Sequence, residues 1–154
     1  MRRAALSDLV YGHDEDVAAF VCAHAPHAEN GFRDYTAIGI ARNGELVAGV
    51  VYNEFRGHSI HCSIASTDPR WASRGVLFTI FAYPFLQLKV ERITVYTGKT
   101  MSHVRQFLER LGFQQEGIVR RGFADDDAVI YGMLKDECPW IRKHEKLRES
   151  PAPA

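Results

Sequence analysis

The amino-acid sequence predicts an α/β protein with a mixed, mostly antiparallel sheet flanked by helices. Three observations lead to this fold class. Two β-rich segments flank the dipeptide Asn43-Gly44, the strongest signal for a two-residue hairpin turn. An alternating segment, residues 58–66, precedes an apolar helical segment and then a further strand, residues 92–98. A strand–helix–strand unit of this kind forms a right-handed crossover, which makes its two strands locally parallel.

Length and composition fit one globular domain. Of the 154 residues, 46% are hydrophobic and 25% are charged, which is ordinary for a globular protein. We expect residues 1–141 to form a single domain and residues 142–154 to form a charged, flexible tail.

Charge and cysteine content exclude several classes of protein. There are 19 basic and 19 acidic residues, so the formal net charge is zero and we do not expect a nucleic-acid partner. No stretch reaches the roughly 20 apolar residues of a membrane span, and the N-terminal segment does not resemble a signal peptide. The three cysteines are far apart and odd in number, which indicates reduced thiols and a cytoplasmic location.

The first half of the chain supplies a helix, a hairpin and a third strand. The helix is predicted over residues 14–25, where apolar residues recur at helical spacing behind an acidic start. The hairpin spans residues 35–55. An apolar helix then begins near Ser73 and contains Pro84, which removes the hydrogen bond to the carbonyl of Ile80, so we expect a kink or an early end there.

The second half continues with a helix and two strands. The helix begins at Ser102, carries apolar side chains along one face, and ends at Gly112, which supplies a left-handed C-terminal cap. The last two strands, residues 112–123 and 127–134, flank the three aspartates at 125–127. We expect these aspartates to form a solvated turn, since no convergent metal ligands accompany them.

Residues 70–75, Arg-Trp-Ala-Ser-Arg-Gly, are suited to binding a pyrophosphate group. They join a strand to a helix start, where backbone N–H groups lack intrahelical partners and the helix dipole is positive. Arg70 and Arg74 add full charges, and Gly75 allows a ligand to approach the backbone. Two surface arginines beside an ordinary helix start would give the same pattern.

The wider pattern resembles the GNAT superfamily of acyl-CoA N-acyltransferases. The acyl-CoA loop of that family, Gln/Arg-x-x-Gly-x-Gly/Ala, corresponds to residues 70–75, with Ser73 in place of the first glycine. The downstream half is similar to the RimJ/RimL-type branch and to GNAT-like proteins from phage and prophage settings. The residues that match this branch are Leu111-Gly112-Phe113, Glu116-Gly117 and Arg120.

The resemblance implies an acetyl-CoA-dependent transferase that acetylates a primary amine, either a protein N-terminus or a small molecule, without a metal. The backbone of residues 65–67 would meet the pantetheine arm, and residues 70–76 would bind the pyrophosphate. The implied cofactor-binding residues are Ala65, Ser66, Thr67, Arg70, Ser73, Arg74, Gly75, Val76 and Met101.

Amine acetylation needs a base for the amine, N–H donors for the oxyanion and an acid for the leaving thiolate. The candidate catalytic residues are Glu54, His61, Tyr131 and Ser102. Each also has a structural interpretation, respectively a solvated strand end, a sheet histidine, a core tyrosine and a helix cap. His58, Asp68 and Glu116 also lie near predicted strand ends, and for Glu116 we favour a structural role that ties its strand to neighbouring backbone.

The sequence departs from the family pattern in ways that favour an alternative function. Met101 stands where the family has asparagine, so Ser102 or Thr100 would have to cap the helix. Leu108 stands where many members carry the tyrosine that protonates the thiolate. The alternative is a GNAT-fold binding or structural module that has lost catalysis. The acceptor, whose site would lie near residues 24–34 and 125–127, and the choice between monomer and homodimer stay open.

Overall fold

The computed structural model describes residues 8–28 and 30–141, so the predicted tail lies outside the described residues. These residues form a seven-stranded sheet in the order β1-β2-β3-β4-β5-β7-β6. The strands are β1 (Asp8–Val10), β2 (Thr36–Arg42), β3 (Glu45–Asn53), β4 (Ser59–Ser66), β5 (Arg92–Gly98), β6 (Gln114–Phe123) and β7 (Asp126–Leu134). The helices are α1 (Asp14–His24), α2 (Arg74–Ala82) and α3 (Ser102–Leu111). Among the described strands, only β4 and β5 pair in parallel, which confirms the predicted mixed sheet and its crossover unit.

The predicted hairpin is formed by β2 and β3. Its turn residues Asn43 and Gly44 both have positive φ, 54° and 81°, as a two-residue hairpin turn requires. Strand β1 was not predicted. It is three residues long and pairs with the outer edge of β2, so its sequence is too short to show an alternating pattern.

Helices cover both faces of the sheet. Helix α1 packs on one face, where Val17 and Val21 lie so close to Gly49 that a Cβ there would be 2.9 Å and 3.0 Å from their methyl groups. Helices α2 and α3 pack on the other face and bury the larger hydrophobic core. Among the described helices, none is long and apolar enough to cross a membrane.

Helix α2 ends just before Pro84, as predicted, and a different type of helix follows it. Helix α2 stops at Ala82, and the chain continues as a π-helical turn, Tyr83–Gln87, in which the Leu88 N–H donates to the Tyr83 carbonyl at 3.0 Å. Pro84 has no N–H to donate to the carbonyl of Ile80. This carbonyl accepts a hydrogen bond of 2.6 Å from the buried Tyr52 hydroxyl on β3. The sheet therefore supplies the donor that proline removed from the helix.

Residues after β7 close the core. The Trp140 indole N–H donates to the Leu111 carbonyl at the end of α3, at 2.9 Å. Ile141 and Cys138 are almost fully buried in the larger core. The helix end is itself fixed by Gly112, whose φ of 111° provides the predicted left-handed cap.

We expect Tyr52→Phe to destabilise the protein by about 1–3 kcal/mol, because it leaves the Ile80 carbonyl buried without this donor. The phenyl ring keeps the packing volume, so a loss of this size isolates the hydroxyl. Urea denaturation monitored by circular dichroism measures the change in the free energy of unfolding.

The matched control is Tyr83→Phe. The Tyr83 hydroxyl contacts Thr36 Oγ1 at an exposed position, at 2.8 Å, so its removal should change stability by less than about 0.5 kcal/mol. Equal effects for the two variants would show that Tyr52 does not compensate for the proline.

Candidate active site

A gap opens in the middle of the sheet between β4 and β5. Their parallel pairing covers only Ser59–His61 against Arg92–Thr94, although β4 continues to Ser66 and β5 to Gly98. Beyond this ladder each strand stays paired on its other edge, β4 with β3 and β5 with β7. The two halves of the sheet therefore separate, and a cavity of about 950 Å³ lies in and around the gap.

Strand β4 presents unused backbone groups to this gap. The Thr67 N–H, just past the strand, donates to the Val47 carbonyl at 2.8 Å and so faces β3. Because N–H groups alternate between the two edges of a strand, those of Ile64 and Ser66 face the gap. Of the three residues predicted to meet the pantetheine arm, only Ser66 thus directs its backbone there. Sequence reasoning missed Ile64, because the facing depends on the register with β3.

Asp68 holds the loop between β4 and α2 in place. Its carboxylate accepts from Arg42 Nη1 at 2.7 Å, from the Arg70 N–H at 2.9 Å and from Arg70 Nε at 3.3 Å. The backbone hydrogen bond from Arg70 is the main cause of a lowered Asp68 pKa. A carboxylate held in its charged form by these partners is a poor proton acceptor, so Asp68 organises the loop.

The start of α2, for which the sequence predicts an anion site, lies beside the cavity, although Arg70, Ser73, Arg74, Gly75 and Val76 are not among its lining residues. Ser73 is the N-cap, and its Oγ accepts from the Val76 N–H at 3.3 Å, so Ser73 and Val76 partly satisfy each other. Arg70, Arg74 and Gly75 are exposed on the same short segment. A Cβ on Gly75 would meet no atom within 4 Å and its φ is not positive, so the fold itself does not require glycine there.

One wall of the cavity is apolar and is built by α2 and α3. Trp71 is buried and packs against Phe107, with ring centroids 5.9 Å apart. Leu108, in the position of the family tyrosine, lines the same wall together with Trp140. This wall could hold a slender apolar chain beside the free edge of β4.

Asp126 fixes the loop between β5 and α3. Its Oδ2 accepts from both the N–H and the hydroxyl of Thr100, at 3.0 Å and 2.7 Å. The prediction of a solvated turn is therefore wrong for Asp126 and Asp127, which lie in β7; the turn consists of Ala124 and Asp125.

The predicted cap of α3 is also wrong. The N-cap residue is Met101, with no side-chain cap hydrogen bond, and Thr100 is bound to Asp126. The side chain of Met101 lies along the cavity. Ser102 is exposed at the first position of α3 and does not line the cavity, whereas its neighbour His103 does.

The opposite wall carries His61 and Tyr96. These side chains project from β4 and β5 toward the α1 face, and their ring centroids are 5.1 Å apart. Burial is the main cause of a lowered His61 pKa, so the imidazole is neutral at pH 7. A neutral imidazole at the cavity wall can accept a proton.

The structure brings only one of the four candidate catalytic residues to the cavity. Glu54 is exposed, has a positive φ of 54° and forms an ion pair with Arg56 at 3.5 Å, outside the lining. Tyr131 is fully buried beneath α3, where its hydroxyl accepts from Arg105 Nε at 3.1 Å. His61 is the candidate that lines the cavity.

Glu116 has a structural role, as favoured from the sequence, but its partner is the Arg92 side chain and not the predicted neighbouring backbone. It accepts from Arg92 Nη2 at 2.6 Å and lies directly over Gly132, so it joins β6 to β5 across β7. Within the described part of the chain, no three histidine, cysteine, aspartate or glutamate side chains are grouped to hold a metal ion.

Residues after α1 and at the tip of the β6–β7 hairpin meet beside the cavity. His27 stacks on Phe123 with ring centroids 4.0 Å apart, and its Nδ1 lies 3.5 Å from Asp125. These are the two segments that the sequence indicated for the acceptor site, and the structure brings them together.

No protein-family model and no curated protein matches the sequence. Solved structures do match the fold. A T. thermophilus protein provisionally assigned as an acetyltransferase superposes with a TM-score of 0.67 at 19% identity, over 97% of this chain and 95% of its own. A mutant of spermidine N-acetyltransferase SpeG from Vibrio cholerae superposes with a TM-score of 0.67 at 14% identity. The superposition covers 90% of this chain and 98% of the SpeG chain.

An acetyltransferase of the GNAT family from Bacillus anthracis gives a TM-score of 0.55 at 16% identity, over 66% of this chain and 67% of its own. At these identities the likeness shows a shared fold. The chain has the GNAT acetyltransferase fold that its sequence resemblance implied.

We expect Asp126→Asn to destabilise the protein at neutral pH. Hydrogen bonds from Thr100, first from its N–H and then from its hydroxyl, lower the Asp126 pKa from its ordinary value of 3.8. A lowered folded-state pKa contributes stability above the unfolded value, and this contribution is lost as the pH falls through the folded value. The difference from wild type should therefore be full at pH 6–7 and shrink below about pH 3.8.

Urea denaturation across this pH range tests the expectation. The control is Asp136→Asn, at an exposed position, which should give a small difference at all these pH values. A difference for Asp126→Asn that is unchanged from neutral to strongly acidic pH would contradict the assigned role of its charge.

Proposed function

We propose that this protein is an N-acetyltransferase that moves the acetyl group of acetyl-CoA to a primary amine. The observation that carries the proposal is the gap between β4 and β5. It combines a free strand edge with an apolar wall, which suit a pantetheine arm, and Pro69, Trp71 and Ala72 of its lining lead into a helix start with exposed arginines, which suits a pyrophosphate.

The proposed binding mode uses each part of the site. The pantetheine amides would pair with the free backbone groups of Ile64 and Ser66, as an added strand would. The pyrophosphate would lie at the start of α2, near Arg70 and Arg74, with Gly75 leaving the backbone accessible. The thioester would then lie in the gap, where His61 can be reached from the α1 face.

In the proposed reaction His61 is the general base. The neutral imidazole would take a proton from the ammonium form of the acceptor, directly or through a water, so that the amine can attack the thioester carbonyl. An N–H group of β4 that faces the gap would stabilise the oxyanion. When the tetrahedral intermediate breaks its C–S bond, the second proton of the attacking nitrogen would pass to the departing thiolate, so that the products are the amide and free CoA. An alkyl thiol such as cysteine has a pKa of about 8.5, so the thiolate is an adequate leaving group even with Leu108 in place of the family tyrosine.

Two finer points belong to the proposal. We assign the chain to the RimJ/RimL-type branch, because its α3–β6 segment carries the matching residues Leu111-Gly112-Phe113. We also propose that residues 1–141 suffice as the catalytic unit, since Trp140 and Ile141 complete the core.

The second candidate function is a GNAT-fold binding module without catalysis. It is favoured by Leu108, by the uncapped start of α3 and by the positions of Glu54 and Tyr131 away from the cavity. Such a module could bind CoA and transfer nothing, so ligand binding and turnover must be measured separately.

For binding, we expect Arg70→Ala combined with Arg74→Ala to weaken acetyl-CoA affinity by roughly tenfold to a hundredfold, because charge-assisted hydrogen bonds to phosphate are lost. Calorimetric titration with acetyl-CoA and with CoA gives the dissociation constants. The control is Arg120→Ala combined with Arg121→Ala, two exposed arginines on the outermost strand.

Failure of folded wild-type protein to bind either ligand at millimolar concentration would reject the acetyl-CoA proposal. Equal weakening by both double variants would mean that the start of α2 is not the pyrophosphate site.

For catalysis, we expect His61→Gln to lower kcat/KM for the amine by about a hundredfold or more, with the acetyl-CoA dissociation constant unchanged. The ratio of wild-type to variant kcat/KM cancels the ionisation of the amine itself. This ratio should be constant at pH 7 and above and fall only below the ordinary histidine value of 6.5, because burial lowers the His61 pKa.

Thiol release, followed at saturating acetyl-CoA from pH 5.5 to 8.5, measures this ratio. A fully active His61→Gln variant would exclude His61 as the base, and normal cofactor binding with no turnover in wild type would favour the binding module.

A further inference from the structure

We infer that the acceptor is a primary amine carried by an aromatic or similarly flat apolar group, and not a polyamine. The inference rests on the proposed acetyl transfer. It comes from the chemistry of the cavity wall on the α1 face, which the proposed mechanism uses only at His61.

Aromatic rings dominate this part of the wall. His61 and Tyr96 form one pair across the gap, and His27 and Phe123 form a second pair with nearly parallel rings, 12° apart. Phe32, from the segment after α1, adds a third ring surface. Such rings offer flat faces that stack on an aromatic ligand.

The wall offers little to neutralise additional positive charge. Among the described residues that line the cavity there is no aspartate or glutamate, and Arg110 is a fixed cation. Of the carboxylates nearby, Glu54 lies 3.5 Å from Arg56 Nη2, and the exposed Asp125 lies 3.5 Å from His27 Nδ1, outside the cavity lining. Asp126 is held by the Thr100 hydroxyl and N–H.

This charge distribution distinguishes a monoamine from a polyamine. A single ammonium group can rest against a ring face and then lose its proton to the neutral His61 imidazole. Each further ammonium group of a polyamine that entered the cavity would leave water without a carboxylate partner among the described lining residues, and leaving water unpaired is costly for a buried charge. The cavity therefore selects against the class of acceptor named for the Vibrio cholerae neighbour.

Three acceptors separate the effect of the ring from the effect of the charge. They are 2-phenylethylamine, n-butylamine and spermidine, compared by kcat/KM at saturating acetyl-CoA. We expect 2-phenylethylamine to exceed n-butylamine by roughly tenfold or more, about the value of one aromatic contact. Spermidine should fall below n-butylamine, although it offers two primary amines.

Two ring variants test the location of the site. Phe32→Ala and Phe123→Ala should each raise the KM for 2-phenylethylamine by roughly tenfold, while the dissociation constant for acetyl-CoA stays unchanged. The matched control is Phe55→Ala, because Phe55 is exposed and does not line the cavity. Phe32→Leu, which keeps apolar bulk, should recover part of the loss.

A third variant tests the charge argument by gain of function. Asn53 lines the cavity and pairs with His61 across the β3–β4 ladder. Asn53→Asp should raise kcat/KM for spermidine relative to 2-phenylethylamine by roughly tenfold, since it introduces a carboxylate. The ratio of the two substrates removes any effect of the new charge on the His61 base.

Binding of 2-phenylethylamine to the CoA-loaded protein, measured by calorimetry, keeps the inference testable if turnover is slow. Saturable binding that Phe32→Ala weakens and Phe55→Ala does not would support it. Spermidine binding as tightly as 2-phenylethylamine, or CoA-loaded protein that does not bind 2-phenylethylamine, would overturn it. Absence of CoA binding would instead refute the proposed function, so the two failures are distinguishable.

Discussion

The short parallel ladder between β4 and β5 is the constraint on which the rest of the structure depends. Its three residue pairs hold the two halves of the sheet together, and beyond them each strand follows its antiparallel partner. Helices cover both faces of the sheet, α2 and α3 on one face and α1 on the other. The cavity, the free edge of β4 and the placement of His61 are all consequences of where this ladder ends.

Two carboxylates, one on each side of the gap, hold the loops that follow β4 and β5. Asp68 receives the Arg70 N–H and fixes the loop that leaves β4, and Asp126 receives the Thr100 N–H and fixes the loop that leaves β5. In both, a hydrogen bond from the backbone lowers the pKa of the carboxyl group. Each charge therefore stabilises a loop geometry, and neither is suited to accept a proton from substrate at neutral pH.

Local sequence signals predicted most of the fold and part of the candidate site. Asn43-Gly44 correctly predicted the hairpin turn, the strand–helix–strand unit predicted the parallel pair of strands, and Gly112 predicted the end of α3. These predictions succeeded because each depends on a conformational rule that acts locally along the chain. The signal at Ser73 likewise predicted a helix start. The role of Asp126 was missed because its partner, Thr100, is distant in sequence and meets it only after β5 and β7 have paired.

The alternation of strand edges explains why the residues of β4 that face the gap were predicted only in part. Ile64 was overlooked and Thr67 was included because composition does not reveal which residues of a strand face a gap. Tyr96 was overlooked because an aromatic residue on a strand is usually a packing residue. Tyr131 and Glu54 were plausible from position alone. A tertiary contact with Arg105 holds the Tyr131 hydroxyl away from the cavity, and Glu54, which has a positive φ, pairs locally with the exposed Arg56.

The free edge of β4 bears on how the protein avoids unwanted strand pairing with other polypeptides. An unpaired strand edge normally invites a second polypeptide, and proteins protect such edges with charges, bulges or covering elements. Here the edge lies inside the sheet, with helices above and below and β5 opposite, so a polypeptide with side chains would collide with these walls. Under the proposed function, a chain as narrow as a linear amide without side chains would reach this edge, whereas a second polypeptide would not.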